Sequence, residues 1–278
     1  MRTLTDFGHQ LLQAAHLSLP VHAACQEALT KPGRLFSARP VWARLFLAWA
    51  DALGGSAQDG LFPAAVACEC LATGFDLIDD VYDAAHQPRL AWELGVALPA
   101  GVALLGLAQD AMAQLDPTLE HSARAGRMLA RASRRVFAAQ AEDYALRRRP
   151  TAAQGEVLAV LRRRSGTLGA APCQCAALLA GAPWRLVALA GRIGHDLGCA
   201  AQLEDDLTDR ADDACGGRKT VPTVLAALYP DAPDVVEATT WVLMQHFLLD
   251  AAQAIQCLPT NVRTEPLWTL LPPAAHVA

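Results

Sequence analysis

Apolar residues recur along this chain every three to four positions, and runs that alternate residue by residue are almost absent. The first spacing lays apolar side chains along one side of a helix, whereas strict alternation would mark a strand. Alanine- and leucine-rich segments carry the helical period over 4–28, 40–54, 62–86, 90–115, 118–148, 152–181, 184–211, 219–229, 232–257 and 262–271. Proline and glycine separate them, at Lys31-Pro32-Gly33, Gly54-Gly55-Ser56, Gln87-Pro88, Asp116-Pro117, Arg149-Pro150, Pro183, Gly216-Gly217, Tyr229-Pro230 and Pro259. Pro20, Pro99 and Pro172 fall inside predicted helices and are expected to kink or split them. No linker is long enough to mark a domain boundary, so the pattern predicts an all-α fold in a single domain, 1–278.

Composition narrows the function. Hydrophobic residues make up 53% of the chain and charged residues 18%, enough for a large core and too few charges for long disordered tails. A net charge of −5 argues against a nucleic-acid surface. The apolar run near Ala97–Ala108 is interrupted by Pro99 and reads as too short to span a bilayer, and no signal pattern opens the chain. None of the eight cysteines forms a C-x-x-C pair. Cys68/Cys70 and Cys173/Cys175 sit two apart in helical sequence, so their side chains diverge. They read as small buried hydrophobes in a reducing cytoplasm.

One acidic pattern occurs twice, as Asp79-Asp80-Val81-Tyr82-Asp83 and as Asp205-Asp206-Leu207-Thr208-Asp209. On a helix the first and last aspartates of D-D-x-x-D share a face one turn apart. Three like charges within about a turn repel one another, so the pattern implies a cation. Oxygen donors without His or Cys suit Mg²⁺, which usually completes its shell with water and substrate phosphate. A diphosphate beside so many carboxylates also needs flanking cations. Arg164, Arg218 and Lys219 are the candidates, while Arg147–Arg149 and Arg162–Arg163 read as solvated helix faces.

With these residues in place, the chain resembles the class I trans-isoprenyl diphosphate synthase (polyprenyl synthetase) family. Glu69 stands ten residues before Asp79, as a family glutamate does. Gln140-Ala141-Glu142-Asp143 is similar to the family's Q-x-x-D, and Arg164-Ser165-Gly166-Thr167-Leu168 to its K-T-x-x-L. The run from Gly194 through Leu197-Gly198 and Gln202 to Asp205-Asp206 resembles G-x-x-L-G-x-A-F-Q-x-x-D-D, with Ala201 in place of Phe. Gly217-Arg218-Lys219-Thr220-Val221-Pro222 resembles G-K-x-T-x-P.

The resemblance implies an isoprenoid synthase fold, a helical bundle around a deep apolar cavity. It also implies Mg²⁺-assisted loss of diphosphate from an allylic isoprenyl diphosphate, usually with three ions, and a homodimer. Asp79, Asp83 and Asp205 would ligate directly, with Asp80, Asp206 and Asp209 acting through water or tuning the site. Gln202 and Asp143 would support the cation or the ligands, and Arg164, Arg218 and Lys219 would grip diphosphate. Phe75, one turn before Asp79, occupies the position where bulk limits product length, which implies a short product.

The pattern departs from the family at the second substrate, isopentenyl diphosphate. Arg39-Pro40 matches the family's R-P, but the preceding family Lys falls on Phe36 and a family His on Ala72. Gly33-Arg34 stands in for G-K only with a longer loop, and of a paired Arg after the first motif only Arg89 remains. Asp76 replaces a usual aliphatic residue. Four readings follow: short-chain isoprenyl diphosphate synthesis, a terpene synthase of the same fold, prenyl transfer to a peptide or other acceptor, and a non-catalytic binding or regulatory subunit, against which both intact aspartate motifs argue. The first three require the carboxylates to collect metal. Mg²⁺ with a diphosphate analogue is therefore expected to raise the melting temperature, and an unchanged melting curve would count against the aspartates as ligands.

Overall fold

The computed structural model describes residues 3–55, 60–84, 92–116 and 121–272, and all regular structure among them is helical. The helices are α1 (Leu4–Ala14), α2 (Leu19–Thr30), α3 (Val41–Ala52), α4 (Phe62–Ala84), α5 (Leu94–Ala113), α6 (Ser122–Arg147), α7 (Gln154–Leu161), α8 (Thr167–Leu179), α9 (Trp184–Thr208), α10 (Arg210–Cys215), α11 (Val221–Leu228), α12 (Pro233–Gln256) and α13 (Glu265–Trp268). A π-helical turn, Arg162–Gly166, joins α7 to α8.

Several boundaries differ from the sequence pattern. The segment predicted over 4–28 divides into α1 and α2, with Pro20 in the first turn of α2, where its missing N–H costs nothing. Pro99 and Pro172 divide nothing: α5 and α8 continue through them, each losing only the bond that a proline cannot donate. Running through Pro99 makes α5 a 20-residue helix, long and apolar enough by length and composition to cross a membrane. That corrects the expectation of a run too short to span. Its buried residues, among them Ala97, Leu104, Ala108 and Ala111, belong to a protein core, and α5 packs on α4 and α2. At the other end, the helix predicted over 262–271 contracts to the four residues of α13.

Internal packing divides the chain into two compact units, Met1–Leu129 with Pro172–Val187, and Ala130–Ala171 with Ala188–Ala278. In the first, α4 is the centre, and α1, α2, α3 and α5 all pack on it. Trp49, Phe46, Val66 and Leu104 are wholly buried there. Gly74 and Gly101 let α4 and α5 approach: a Cβ at 101 would lie 2.7 Å from Cγ1 of Ile78, and one at 74 would lie 2.9 Å from the Gly101 carbonyl. α3 begins at Pro40 with no side-chain cap of its own. Glu69, buried in the middle of α4, supplies one by accepting the Ala43 N–H at 2.8 Å.

In the second unit, the start of α8 crosses α9 at Gly169 and Gly198. A Cβ on Gly198 would overlap the Ser165 carbonyl oxygen, and one on Gly169 would overlap that of Gly194. α11 packs on α7, α10 and α12. Arg162 of the π turn lies over the Phe247 ring of α12, 5.4 Å from its centroid. Because the backbones at the Gly198 crossing have no room to give, Gly198→Ala is expected to destabilise the protein by about 1–3 kcal/mol. Gly126→Ala in α6, where nothing lies within 4 Å of the new Cβ, should instead stabilise by about 0.5–1 kcal/mol. Chemical denaturation of the two variants checks both signs.

Candidate active site

The first aspartate motif ends α4. Asp79 and Asp80 are half-buried in its last turns, and Asp83 is helical, with its side chain outside the described residues. The segment between α2 and α3 is tied to the same helix face. Lys31 Nζ lies 3.4 Å from Oδ2 of Asp80, and Arg34 pairs with Asp76. Burial pushes the Asp76 carboxyl up to about 6 against the opposing pull of Arg34, with Asp79 and Asp80 adding repulsion. Its Oδ2 is shielded from solvent although the side chain as a whole keeps 42% of its surface. Burial likewise raises Glu69 to about 7, despite the Ala43 N–H. Phe75 is buried one turn before Asp79. Arg39 is exposed, and Arg89 lies outside the described residues.

The second motif ends α9, and here a network forms. Gln202 Oε1 accepts from Ser165 Oγ at 2.8 Å and from Arg164 Nη2 at 3.4 Å, while its Nε2 donates to Asp206 Oδ1 at 2.9 Å. The wider π turn directs two consecutive residues, Arg164 and Ser165, at one acceptor. Arg164 Nη1 also donates to Gln140 at 3.1 Å and lies 3.6 Å from Oδ2 of Asp143. Arg147 donates twice to that same oxygen, at 3.1 and 2.8 Å. Asp205 and Asp209 face solvent, whereas Asp206 is buried. Burial pushes its carboxyl up to about 7; the Gln202 bond, Arg164 and Arg218 oppose this, and Asp213 reinforces it.

Arg218 and Lys219 follow from the way α10 ends. The Arg218 N–H donates to the Asp213 carbonyl at 2.8 Å and the Gly217 N–H to that of Ala214 at 3.2 Å, with Gly217 at φ +69°. This paired closure needs a left-handed residue, which explains the glycine. The Arg218 Nε then lies 3.4 Å from Oδ1 of buried Asp213. Thr220 and Thr223 cap α11, and Pro222 sits in its first turn. Asp143, Arg164, Gln202, Asp206, Arg218 and Lys219 line one pocket, partly open to solvent, over an apolar floor of Val157, Val160 and Leu161.

The structure thus joins Arg164, Gln202, Asp206, Arg218 and Lys219 at one pocket in the second unit. It places Asp79, Asp80, Phe75 and Arg39 in the first. Among the described residues no three His, Cys, Asp or Glu side chains form a ready cage for a cation. Mg²⁺ held by one or two carboxylates, with water and substrate phosphate, needs no such cage, and the oxygen-only donors fit it. Sequence reasoning missed Asp213, Ser165 and the inward turn of Arg147, whose side chain is 7% exposed rather than solvated. Asp213 was open to detection, since Gly216-Gly217 after a helical stretch signals the closure that draws the next residue back onto it.

A family model described as polyprenyl synthetase matches residues 20–222. The (2E,6E)-farnesyl diphosphate synthase of Mycobacterium tuberculosis H37Rv is 33% identical over 195 residues, covering 68% of this chain and 50% of that protein. This chain therefore spans about half the length of that relative. The geranylgeranyl diphosphate synthase of the same organism is 29% identical over 270 residues, covering 82% of this chain and 77% of that protein. Among solved structures, a geranylgeranyl pyrophosphate synthetase from the archaeon Geoglobus acetivorans superposes with a TM-score of 0.81 at 18% identity, over 99% of this chain and 97% of that one. A polyprenyl synthase from Caulobacter crescentus CB15, complexed with calcium and isoprenyl diphosphate, gives 0.81 at 21% identity, over 98% and 93%. At such identities the superpositions establish the all-α fold.

Asp206 offers a test that needs no substrate. A carboxyl raised from 3.8 to about 7 by folding favours the protonated folded chain. Its stabilising contribution is complete below the ordinary value and is lost as pH climbs through about 7. Asp206→Asn is expected to flatten the fall of melting temperature across that window in metal-free protein. Identical slopes would show that Asp206 is not buried as described.

Proposed function

This chain belongs to the polyprenyl synthetase family, and on that premise we propose that it is a Mg²⁺-dependent prenyltransferase that ionises an allylic isoprenyl diphosphate. The first reading of its acceptor is isopentenyl diphosphate, giving a short-chain isoprenyl diphosphate. One observation carries the proposal: Arg164, Arg218 and Lys219 line a single pocket with Gln202 and Asp206 at the end of an aspartate-bearing helix. As the allylic C–O bond breaks, the leaving diphosphate gains charge, and positioned guanidinium and ammonium groups stabilise it. Gln140 and Asp143 hold Arg164 in position before substrate arrives, and Asp213 holds Arg218.

Asp79, Asp83 and Asp205 are the proposed direct ligands of Mg²⁺, three ions in all, with Asp80, Asp206 and Asp209 in supporting roles. The metal supplies charge neutralisation at the diphosphate oxygens when bound. The inward bond from Gln202 to Asp206 suits a tuning role for that carboxylate. Phe75 is the proposed limit on product length, and farnesyl and geranylgeranyl synthases among the relatives fit a short product.

A homodimer is part of the reading. Leu94, Leu98 and Val102 lie four residues apart along α5 with 54, 44 and 56% of their surface exposed, an apolar stripe suited to a second copy. The free thiols of buried Cys25, Cys68, Cys70, Cys173, Cys175 and Cys199 suit a cytoplasmic setting. A second reading, a terpene synthase of the same fold, is favoured by the pairing of Arg34 with Asp76 on the acceptor-side loop.

Mass spectrometry of products from geranyl and farnesyl diphosphate, with and without isopentenyl diphosphate, separates the two. A product one isoprene unit longer, formed only with isopentenyl diphosphate, establishes elongation; a hydrocarbon or alcohol formed without it establishes the second reading. Asp79→Ala and Asp205→Ala are each expected to abolish diphosphate release while leaving the fold intact. Activity surviving in either variant would refute the site.

A further inference from the structure

We propose that Asp76 is a specificity residue that weakens the grip on isopentenyl diphosphate: its carboxylate holds Arg34 against α4, and the acceptor's diphosphate must displace it to reach that guanidinium. The inference rests on the prenyltransferase reading and adds a specificity residue to it.

Three carboxylates of α4 attach the chain from Lys31 to Ala43. Glu69, Asp76 and Asp80 are spaced seven and four residues apart on α4 and lie along one helix face. Each takes a partner from this stretch, among them the Ala43 N–H, the Arg34 guanidinium and the Lys31 ammonium. Both cations of the loop start therefore lean on carboxylates of α4. The one other charged side chain of the loop is Arg39, which is exposed. Phe36 stacks on His9 of α1, with ring centroids 4.0 Å apart and planes 10° from parallel. Ala72, one turn before Asp76 on α4, is buried.

An exposed ion pair would be a weak constraint, because solvent screens it and either partner can leave. This pair is different. The Arg34 side chain is only 22% exposed, and the Asp76 oxygen that faces it is shielded from water. A diphosphate approaching Arg34 must displace a carboxylate fixed to the same helix. It must then remain beside Asp76, whose charge opposes it. An acceptor without a diphosphate meets neither obstacle. The opposite arrangement, in which Asp76 orients Arg34 to receive a diphosphate, predicts the reverse outcome on removal of Asp76, so one measurement decides between them.

The measurement is calorimetric titration of isopentenyl diphosphate into the full chain with Mg²⁺, for the wild type, Asp76→Asn and Asp76→Leu. Asn keeps the shape and removes the charge, which guards against loss of folding in the Leu variant; thermal melts confirm that each is folded. Both variants are expected to bind isopentenyl diphosphate at least about tenfold more tightly. Arg34→Ala, added to either, should remove that gain, while Arg34→Ala alone should change the wild-type affinity little. A purely structural role for Asp76 would not produce this dependence on Arg34. Unchanged or weaker binding in both variants, or a gain that survives Arg34→Ala, overturns the proposal. Diphosphate release from geranyl diphosphate with Mg²⁺, followed in the wild type both with and without isopentenyl diphosphate, tests the prenyltransferase reading separately. Its absence alongside the expected binding gain would sink that reading and leave the Asp76–Arg34 lock standing.

Discussion

Negative charge gathered at the C-terminal ends of helices is the constraint to which the rest of this molecule answers. α4 and α9 both finish on aspartates, and a helix end already carries partial negative charge from its unpaired carbonyls. Repulsion among the carboxylates adds to that penalty, and burial adds a third unfavourable contribution at Asp76 and Asp206. Each unit offsets it with cations from neighbouring segments: Lys31 and Arg34 beside the first motif, Arg164 and Arg218 beside the second. The arrangement is expensive for a fold that has nothing to bind and reasonable for one that meets divalent ions and phosphate oxygens.

Two local devices hold these cations in place, and neither depends on a large core. One is the absence of side chains. Gly169 and Gly198 let the start of α8 lie directly on α9, which brings Arg164 and Ser165 within reach of Gln202. The other is reuse of unpaired backbone groups. Glu69 caps a helix that has no cap of its own, and the closure of α10 around Gly217 returns Arg218 to Asp213. In both cases a polar group that had to be satisfied in any fold also fixes a functional side chain.

Much of this was legible in the sequence because it depends on local spacing. The helical period located nearly every helix, and the D-D-x-x-D pairs marked the ends of two of them. Gly217-Arg218-Lys219-Thr220 announced a turn, a cation pair and a cap in order. What escaped depended on neighbours distant in the chain. Arg147 belongs to a run of three arginines that reads as solvated, yet Asp143 draws it inward. Pro99 looks like a break, yet packing against α4 and α2 carries α5 through it. The π turn has no signature in composition, since its width comes from fitting α7 and α8 to their surroundings. Arg89 and the Asp83 side chain lie outside the described residues, so the structure does not bear on those two assignments.

That π turn has a consequence for how the chain tolerates changes in length. A π turn holds one residue more than the regular helix it interrupts, and here three of its five residues are consecutive arginines. Deleting any one of the three yields the same sequence and still leaves an arginine before Ser165. The shortened segment can anneal into uninterrupted α-helix with α7 and α8 kept in phase, because the π turn absorbs its extra residue within a single turn. Val157, Val160 and Leu161 would keep their places in the floor of the pocket. Homologues with two arginines at this point should therefore be read as lacking the wide turn, with no compensating insertion needed in α7.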